Sequence, residues 1–365
     1  MNDLSKIVSQ FDAECQVRSV EPFGSGHIND TYLVTCQSIS RGYILQRINH
    51  LVFQNVEQLT NNILKITRHI QNRLETDGSR YPGFRVFRMI PVKNGRYYYK
   101  AADGTYWRMI EYIGNSRSFD RVASPALAFE AGHAFGTFQK LTSDVEPGSL
   151  FEVIPRFHDI SLRLEQFRLS IRNNSAGRTA ATREEINFAE SRAGEMHHIL
   201  NLGTAGKLPV RVTHNDTKIN NVLFNQEGCA FSVIDLDTVM PGFILYDFGD
   251  AIRTGASTGE EDEADLNKVQ IDLALFEAYS RGYLKVAHSF LTIEETDNLA
   301  FSAKFMTYII GLRFLTDHLN GDCYFKTGFP GHNLRRAQAQ FKLLQSMEDN
   351  FREMQMIIAS IHTTE

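Results

Sequence analysis

The sequence predicts an α+β protein in two lobes, with an antiparallel sheet in the first lobe and mainly helices in the second. Residues 17–113 contain short runs rich in β-branched and aromatic residues, separated by turn residues. From residue 124 onward, apolar residues recur mostly at helical spacing. A polar loop at 214–221 lies between two short apolar runs in the second part. We therefore divide the chain into an N-terminal lobe, 1–113, and a C-terminal lobe, 114–365.

The composition excludes several classes of protein. The 365 residues are 42% hydrophobic and 22% charged, and the formal net charge of −5 offers no basic surface, so we expect no nucleic-acid partner. No stretch approaches 18 apolar residues and the N-terminus lacks a signal-peptide core, so we expect no membrane association. The four cysteines are far apart and form no CxxC pair, which predicts neither a zinc site nor a disulfide framework. A cytoplasmic location follows from these expectations.

The N-terminal lobe begins with a polar, amphipathic segment that predicts a short helix. Residues 17–36 predict a strand, a glycine turn and a second strand, and a third strand follows at 41–49. Asn94-Gly95 and Asp103-Gly104 then join three further apolar runs as hairpins. Apolar residues at helical spacing predict one helix inserted between these groups of strands: Val56, Leu59, Ile63, Ile66 and Ile70.

Two segments of this lobe are candidate nucleotide-binding elements. The turn Gly24-Ser25-Gly26 precedes a β-rich run instead of a helix, which argues against a dinucleotide-binding fold and favours either a plain hairpin turn or a lid over phosphates. Glu111 and Ile113 lie where the last strand ends and the composition changes. Their backbone is a candidate for binding an adenine edge, although a plain strand end explains them equally well.

The C-terminal lobe is predicted to be mainly helical. Ser124-Pro125 forms a cap and first-turn pair for a helix that reaches about residue 141. The acidic run at 259–265 favours a solvated helix start over a docking site for a cationic substrate. An apolar stripe predicts one final helix over about 335–361.

The polar loop contains the residue types that phosphoryl transfer requires. Asp216 and Asn221 are five residues apart, Lys218 lies between them, and Asp235 follows fourteen residues after Asn221. Transfer from ATP needs an acceptor for the substrate proton and hard oxygen ligands for Mg²⁺. We predict that Asp216 is the base, that Lys218 reaches the γ-phosphate, and that Asn221 and Asp235 hold the metal.

Two alternatives were weighed against this interpretation. Asp and Asn are common in ordinary turns because they bond to the local backbone, but the whole string at this spacing favours function. Asp247-Phe248-Gly249 matches the DFG motif of protein kinases, yet it lies thirty-one residues beyond Asp216, whereas Asp235 lies nineteen beyond it. We assign the metal to Asp235 and a structural role in supporting the loop to Asp247.

Longer strings resemble the N-acetylhexosamine 1-kinases within the aminoglycoside phosphotransferase superfamily. They include GSGHINDTYLV, RVTHNDTKINNVLF, IDLDTVMPG and GLRFLTDHLNGDCYF, and the match runs from about residue 17 to the final helix. The resemblance implies a protein-kinase-like fold. It also implies phosphorylation of the anomeric hydroxyl of N-acetylglucosamine or N-acetylgalactosamine by ATP with Mg²⁺, with Asp216 contacting the sugar.

The resemblance also implies further acceptor-binding residues. His27, Arg313 and Tyr324 match positions assigned to sugar contacts. The structural alternatives are that His27 is a turn residue, that Arg313 is an ion-pair partner and that Tyr324 covers the core edge. Asp237 would share a strand face with Asp235 and assist with the metal or the sugar.

One feature departs from protein kinases, which carry a phosphate-binding lysine on the third strand. Here the strand reads Gln46-Arg47, and alternation allows only one of these side chains to face the cleft. Two other functions stay open. The acidic run at 259–265 favours a kinase of the same fold acting on an amino alcohol or aminoglycoside, and the missing lysine favours a catalytically idle sensor of nucleotide or sugar. We expect a monomer in each case.

Overall fold

The computed structural model describes residues 2–24, 28–37, 42–77 and 80–362. Its N-terminal part is an antiparallel sheet with two helices, and its C-terminal part is mainly helical, which confirms the predicted α+β class. The lobe boundary at residue 113 stays a prediction.

The described residues contain ten strands, of which the first six form one sheet. The path through this sheet is β1-β2-β3-β6-β4, and β5 pairs with β6. The other four strands form two small antiparallel pairs in the C-terminal part, β7 with β10 and β8 with β9. The strands are β1 (Val17–Pro22), β2 (Asp30–Cys36), β3 (Gly42–Ile48), β4 (Met89–Ile90), β5 (Tyr99–Lys100), β6 (Tyr106–Glu111), β7 (Arg211–Thr213), β8 (Val222–Phe224), β9 (Ala230–Val233) and β10 (Met240–Gly242).

Twelve α-helices complete the described part of the chain, and two of them, α1 and α2, belong to the N-terminal part. The helices are α1 (Asn2–Val8), α2 (Val56–Asp77), α3 (Pro125–Thr142), α4 (Ile160–Asn173), α5 (Arg183–Arg192), α6 (His198–Thr204), α7 (Ile244–Gly255), α8 (Leu273–Ala287), α9 (Ile293–Asp297), α10 (Leu299–Leu319), α11 (His332–Asp349) and α12 (Phe351–His362).

Local signals in the sequence account for several of these boundaries. Ser124 caps α3, since its side chain accepts a hydrogen bond from the Leu127 N–H, and Pro125 occupies the first helical position. Gly95 and Gly104 each have φ of 85°, the left-handed conformation that hairpin turns require and that glycine adopts without a steric penalty.

The hydrophobic core joins the sheet to the C-terminal part through α2. The apolar face of α2 packs in the main core with α3 and the later helices, while a second, smaller core lies between the sheet and α1. The buried Asn62 of α2 donates hydrogen bonds to the carbonyls of Phe151 at 2.7 Å and Val239 at 2.9 Å. Helix α2 is therefore fixed against the segment that follows β9.

Helices α3 and α8 approach each other closely because glycines lie at their contact. A Cβ atom at Gly282 would lie 1.9 Å from the Phe129 carbonyl oxygen, and one at Gly132 would lie 2.2 Å from the Tyr279 carbonyl oxygen. Phe135 and Phe138 of α3 then contact the ring of His214 at the start of the polar loop. This packing holds the start of the polar loop against α3.

Two predictions about the helical part are wrong. The final helix is interrupted at Asn350, so that α11 and α12 are separate helices. No α-helix begins in the acidic run at 259–265. Its carboxylates instead bind the helical part: Glu261 pairs with Arg253 at 3.0 Å, and Asp262 bonds to His332 at 2.9 Å.

The prediction of no disulfide is also wrong. Cys15 and Cys36 form a disulfide that ties the segment before β1 to the end of β2, across a sequence separation of 21 residues. Cys229 and Cys323 are free and exposed. Sequence spacing gave no sign of the pair because two cysteines at this separation show no recognisable motif.

One helix among the described residues, α10, is long and apolar enough to cross a membrane by length and composition. Its 18-residue apolar window is 89% buried inside the protein.

Candidate active site

The polar loop that connects β7 to β8 carries Asp216, Lys218 and Asn221. Strand β7 pairs with β10, which fixes where the loop begins, and a short 3₁₀ turn at 219–221 leads into β8. Asn215 adopts a left-handed conformation with φ of 63°, which turns the chain sharply before Asp216. The loop is thus a rigid bend between two short strands.

Asp247 holds this bend, as predicted from the sequence. The carboxylate lies on α7 and accepts hydrogen bonds from the backbone N–H groups of His214 at 2.9 Å and Asn215 at 2.7 Å. Gln139 of α3 donates to the same carboxylate at 2.8 Å. The Thr217 hydroxyl donates to the Asp247 carbonyl at 2.5 Å. All of these partners belong to the polar loop or to α3. Asp247 therefore holds the loop in place.

Asp216 lies between a cation and an amide. Lys218 Nζ is 2.9 Å from Asp216 Oδ1, and Asn221 Nδ2 donates to Asp216 Oδ2 at 3.1 Å and to the Asp216 carbonyl at 2.8 Å. Burial acts to raise the pKa of Asp216, but the charge and hydrogen bond of Lys218 and the bond from Asn221 outweigh it and lower the pKa. The carboxylate is therefore ionised at neutral pH.

Asp235 comes close to this group through the backbone. The Ile234 N–H donates to the Asn221 carbonyl at 2.9 Å, so the residue that follows, Asp235, lies beside the loop. Its φ of 60° is uncommon for a residue other than glycine. Reduced solvation of the carboxylate, together with the nearby carboxylates of Asp237 and Asp216, raises the pKa of Asp235 to about 7.

The idea that Asp235 and Asp237 share a strand face is wrong. Strand β9 ends at Val233, and the two aspartates belong to a left-handed residue and a 3₁₀ turn. As a result the side chains differ in environment: Asp235 is exposed to the cleft, whereas Asp237 is buried.

Asn221 and Asp235 fit a magnesium site. The Asn221 amide uses its Nδ2 on Asp216, which leaves Oδ1 without a donor among the described residues, and the Asp235 carboxylate likewise pairs with no described side chain. No group of three or more His, Cys, Asp or Glu side chains in the described ranges could hold a metal ion. Two oxygen ligands agree with Mg²⁺, which takes few protein ligands and completes its shell with phosphate and water.

Arg108 is a site residue that the sequence did not identify. It lies on β6, is 4% exposed, and forms a buried ion pair with Asp237. Asn29 donates to the other oxygen of Asp237 at 2.7 Å. Since Asp237 lies two residues beyond Asp235, this contact joins the sheet to the segment that carries the candidate metal ligand. The sign in the sequence was an arginine in the middle of a strand whose neighbouring residues, Trp107 and Met109, are apolar.

The orientation of the third strand is now clear. Gln46 faces the cleft side, where its Oε1 accepts a hydrogen bond from Arg108 Nε at 2.8 Å. Arg47 lies on the opposite face, about half exposed, and pairs with Asp30 at 2.6 Å. The strand itself therefore places no cation toward the candidate metal site.

The candidate nucleotide-binding residues are only partly described. Gly24 has φ of 77°, as a turn glycine does, while Ser25, Gly26 and the candidate sugar ligand His27 lie outside the described residues. Strand β6 ends at Glu111, and the Ile113 N–H donates to no group in the part of the chain that the structure describes. Such an N–H at a strand end can bond to an adenine edge, and nucleotide binding by Glu111 and Ile113 stays a prediction.

Arg313 lies among aromatic rings on the helical side. Its guanidinium is 4.9 Å from the centre of the Phe157 ring, 5.5 Å from that of Phe325 and 5.9 Å from that of Tyr324. Burial lowers the pKa of Arg313. Arg313 forms no ion pair with a carboxylate among the described residues, so the ion-pair alternative finds no support. Tyr324 is 61% exposed and is not a core residue.

His158, next to Phe157 in the chain, is a second residue of this region that the sequence did not identify. It is 4% exposed, and neither ring nitrogen has a hydrogen-bond partner among the described residues. It packs against Phe157 and Tyr246. Burial lowers its pKa well below the ordinary value, so the ring is neutral.

Comparison with known proteins places this site in context. The model of the phosphotransferase enzyme family matches residues 19–287, which include the whole polar loop and Asp235. This match covers most of the chain.

Solved structures share the fold at low sequence identity. An aminoglycoside phosphotransferase from Alicyclobacillus acidocaldarius is 14% identical, with a TM-score of 0.59 over 98% of this chain and 94% of that one. A choline kinase from Cryptosporidium parvum is 14% identical, with a TM-score of 0.57 over 99% and 100%. A spectinomycin phosphotransferase in complex with ADP and spectinomycin is 11% identical, with a TM-score of 0.56 over 99% and 98%.

Proposed function

Because the chain belongs to the phosphotransferase enzyme family, we propose that it is a kinase that transfers the γ-phosphoryl group of ATP to the anomeric hydroxyl of an N-acetylhexosamine. The observation that carries the reaction class is the ionised Asp216, bonded to Asn221 and adjacent to Asp235, whose carboxylate pairs with no side chain among the described residues. The products are an N-acetylhexosamine 1-phosphate and ADP. N-Acetylglucosamine and N-acetylgalactosamine are the two expected acceptors.

Asp216 acts as the base in this proposal. Its lowered pKa keeps the carboxylate ionised, ready to accept the proton of the acceptor hydroxyl. An anomeric hydroxyl is more acidic than an ordinary alcohol, so a base of modest strength is adequate. Lys218, at 2.9 Å from Asp216, brings a positive charge to the point where the phosphoryl group is transferred.

Asn221 and Asp235 are the candidate ligands of Mg²⁺. A bound ion would supply positive charge that offsets the negative charge developing on the transferred phosphoryl group. The protein contributes the orientation of the two oxygens. Asn221 is oriented by its bonds to Asp216, and Asp235 by the left-handed turn after β9.

The acceptor side of the proposal rests on the sugar-kinase strings and on Arg313. A guanidinium presents several N–H donors, which suit the hydroxyl and acetamido oxygens of an N-acetylated sugar. Phe157, Phe325 and Tyr324 surround it with apolar faces. His27 is the further candidate contact from the resemblance.

A second candidate function is favoured by Glu261. This residue of the acidic run is 42% exposed. The pKa of Lys218 is raised chiefly by the charge of Asp216, and the carboxylates of Glu261 and Asp250 add to that effect. Carboxylates near the site would suit a cationic acceptor such as choline or an aminoglycoside. Arg313 argues against this candidate, since the charge of its half-buried guanidinium would repel a cation.

The test is an ADP-release assay with Mg²⁺ and ATP, in which N-acetylglucosamine, N-acetylgalactosamine, choline and spectinomycin are offered separately. We expect turnover with one or both sugars and a decrease of at least ~100-fold in Asp216→Asn, which keeps the shape of the side chain without its basicity. Phosphorus NMR of the product distinguishes C1 from C6 phosphorylation.

The other outcomes discriminate between the hypotheses. Turnover only with a cationic acceptor would replace the sugar proposal with the second candidate. Binding of ATP with no turnover on any acceptor would favour an idle sensor. A monomer remains our expectation for the active protein. The Cys15–Cys36 disulfide removes one of the two grounds for expecting a cytoplasmic location.

A further inference from the structure

We propose that Arg108 on β6 is the cation that binds the phosphates of the nucleotide, and that Asp237 positions it. This inference rests on the proposed kinase function and deepens it. Protein kinases carry the corresponding lysine on the third strand, where this chain has Gln46. The charge is supplied from the neighbouring strand instead.

Strand register places Arg108 beside the usual lysine position. Gln46 of β3 is paired directly with Arg108 of β6, and directly opposed residues project to the same face of a sheet. The hydrogen bond from Arg108 Nε to Gln46 Oε1 at 2.8 Å confirms this orientation. The side chain of arginine is longer than that of lysine. From the neighbouring strand, its guanidinium can therefore reach the region that a lysine at position 46 would occupy.

The contact with Asp237 brings the charged end of Arg108 to the candidate metal site. Arg108 Nη1 donates to Asp237 Oδ1, and Asp237 lies two residues after Asp235, the proposed metal ligand. Phosphates that are bound to a metal at Asp235 would therefore lie close to this guanidinium. A lysine on the third strand serves the same purpose in kinases.

The hydrogen bonds leave part of the guanidinium available. Nε is used on Gln46 and Nη1 on Asp237, whereas Nη2 donates to no group among the described residues. An arginine has five N–H donors in a planar fork, a shape that binds phosphate oxygens in pairs. The N–H donors of Nη2 therefore belong to a charged guanidinium whose position is fixed by the bonds from Nε and Nη1.

Arg47 is the alternative cation, and its position excludes it from this role. It lies on the opposite face of β3, is about half exposed, and pairs with Asp30 at 2.6 Å. A buried ion pair adds little to stability once the cost of removing both charges from water is counted. The burial of Arg108 with Asp237 is therefore better explained by function than by folding.

Asp237 is held so that it can orient the arginine. Asn29 Nδ2 donates to Asp237 Oδ2 at 2.7 Å, and Asn29 Oδ1 accepts from the Asn49 N–H at 3.0 Å. Both carboxylate oxygens of Asp237 are thus engaged by residues of the N-terminal part. We therefore assign Asp237 to positioning Arg108 and not to direct contact with the sugar.

Calorimetric titration with ADP and with adenosine, without acceptor and both with and without Mg²⁺, tests this inference. In Arg108→Gln we expect binding of ADP to weaken by about 10- to 100-fold, and binding of adenosine to change by less than about 2-fold, since only the phosphates lose a charged partner. Arg47→Gln is the matched control and should bind both ligands as the wild type does.

A double variant distinguishes the loss of a phosphate-binding charge from a purely structural effect of Arg108→Gln. Gln46→Lys combined with Arg108→Gln returns a cation to the third strand and should recover most of the affinity for ADP. Unchanged ADP binding in Arg108→Gln, or an equal loss of ADP and adenosine binding in folded protein, would overturn the inference while leaving the kinase proposal intact. Absence of ADP binding by the wild-type protein would overturn both.

Discussion

The Asp247 carboxylate accepts a hydrogen bond of 2.7 Å from the backbone N–H of Asn215, the residue before the candidate base. Asn215 is in the left-handed conformation, which is disfavoured for most residues and must be held by its surroundings. Helix α7 therefore fixes the backbone from which Asp216 projects. The position of the candidate base therefore depends on a carboxylate that is itself bonded to the loop backbone.

The first prediction is that Asp247→Asn weakens both folding and catalysis. An amide has one acceptor oxygen and cannot serve two N–H groups and Gln139 together, so at least one buried donor loses its partner. We expect a loss of about 2–4 kcal/mol in the free energy of unfolding, measured by urea denaturation, and lower turnover. Asp120→Asn, at an exposed position, should leave both unchanged.

The second prediction concerns the contact between α3 and α8. In Gly282→Ala the new methyl group would lie 1.9 Å from the Phe129 carbonyl oxygen, a backbone atom that cannot move without separating the helices. We expect a loss of at least ~2 kcal/mol in the free energy of unfolding. Chemical denaturation of the purified variant measures it.

Gly194→Ala is the matched control for that substitution. Gly194 is exposed, has φ of −63°, and a Cβ there would meet nothing within 4 Å. The unfolded chain loses entropy with no steric cost in the native state, so stability should be unchanged or rise by up to ~1 kcal/mol. Equal destabilisation of both variants would contradict the packing argument.

The third prediction tests whether Arg313 binds the acceptor. Arg313→Gln removes the charged donors between Phe157, Phe325 and Tyr324. We expect the KM for the N-acetylated sugar to rise about 10-fold, the loss expected for hydrogen bonds from a charged group, with the KM for ATP unaffected. Arg172→Gln, at an exposed position on α4, serves as the control. A parallel rise in the KM for ATP would place Arg313 outside the acceptor site.

The fourth prediction concerns the cysteines. Native oxidised protein should have two thiols that react with Ellman's reagent, Cys229 and Cys323, and four after reduction and unfolding. Cys15→Ser should lower the free energy of unfolding by about 3 kcal/mol in oxidising buffer, as expected for a crosslink of this loop length. With reductant present, wild type and variant should differ much less. Four reactive native thiols would exclude the disulfide.

The sequence predicted the parts of the site that depend on local spacing. Asp216, Lys218 and Asn221 lie within one short loop, so their proximity follows from the length of the chain between them. The supporting role of Asp247 could also be foreseen, because its distance from Asp216 did not fit a metal ligand. The caps and hairpin glycines were predictable for the same local reason.

The sequence by itself thus determined the α+β class, the loop of candidate catalytic residues and most helix and strand positions. Only the tertiary structure decided which of Gln46 and Arg47 faces the cleft, and that Arg108 meets Asp237, because strand register joins residues far apart in the chain. It also decided the Cys15–Cys36 bond and the different environments of Asp235 and Asp237. The physical reason is that spacing and periodicity describe neighbours along the backbone, whereas pairing between distant segments depends on how the whole core packs.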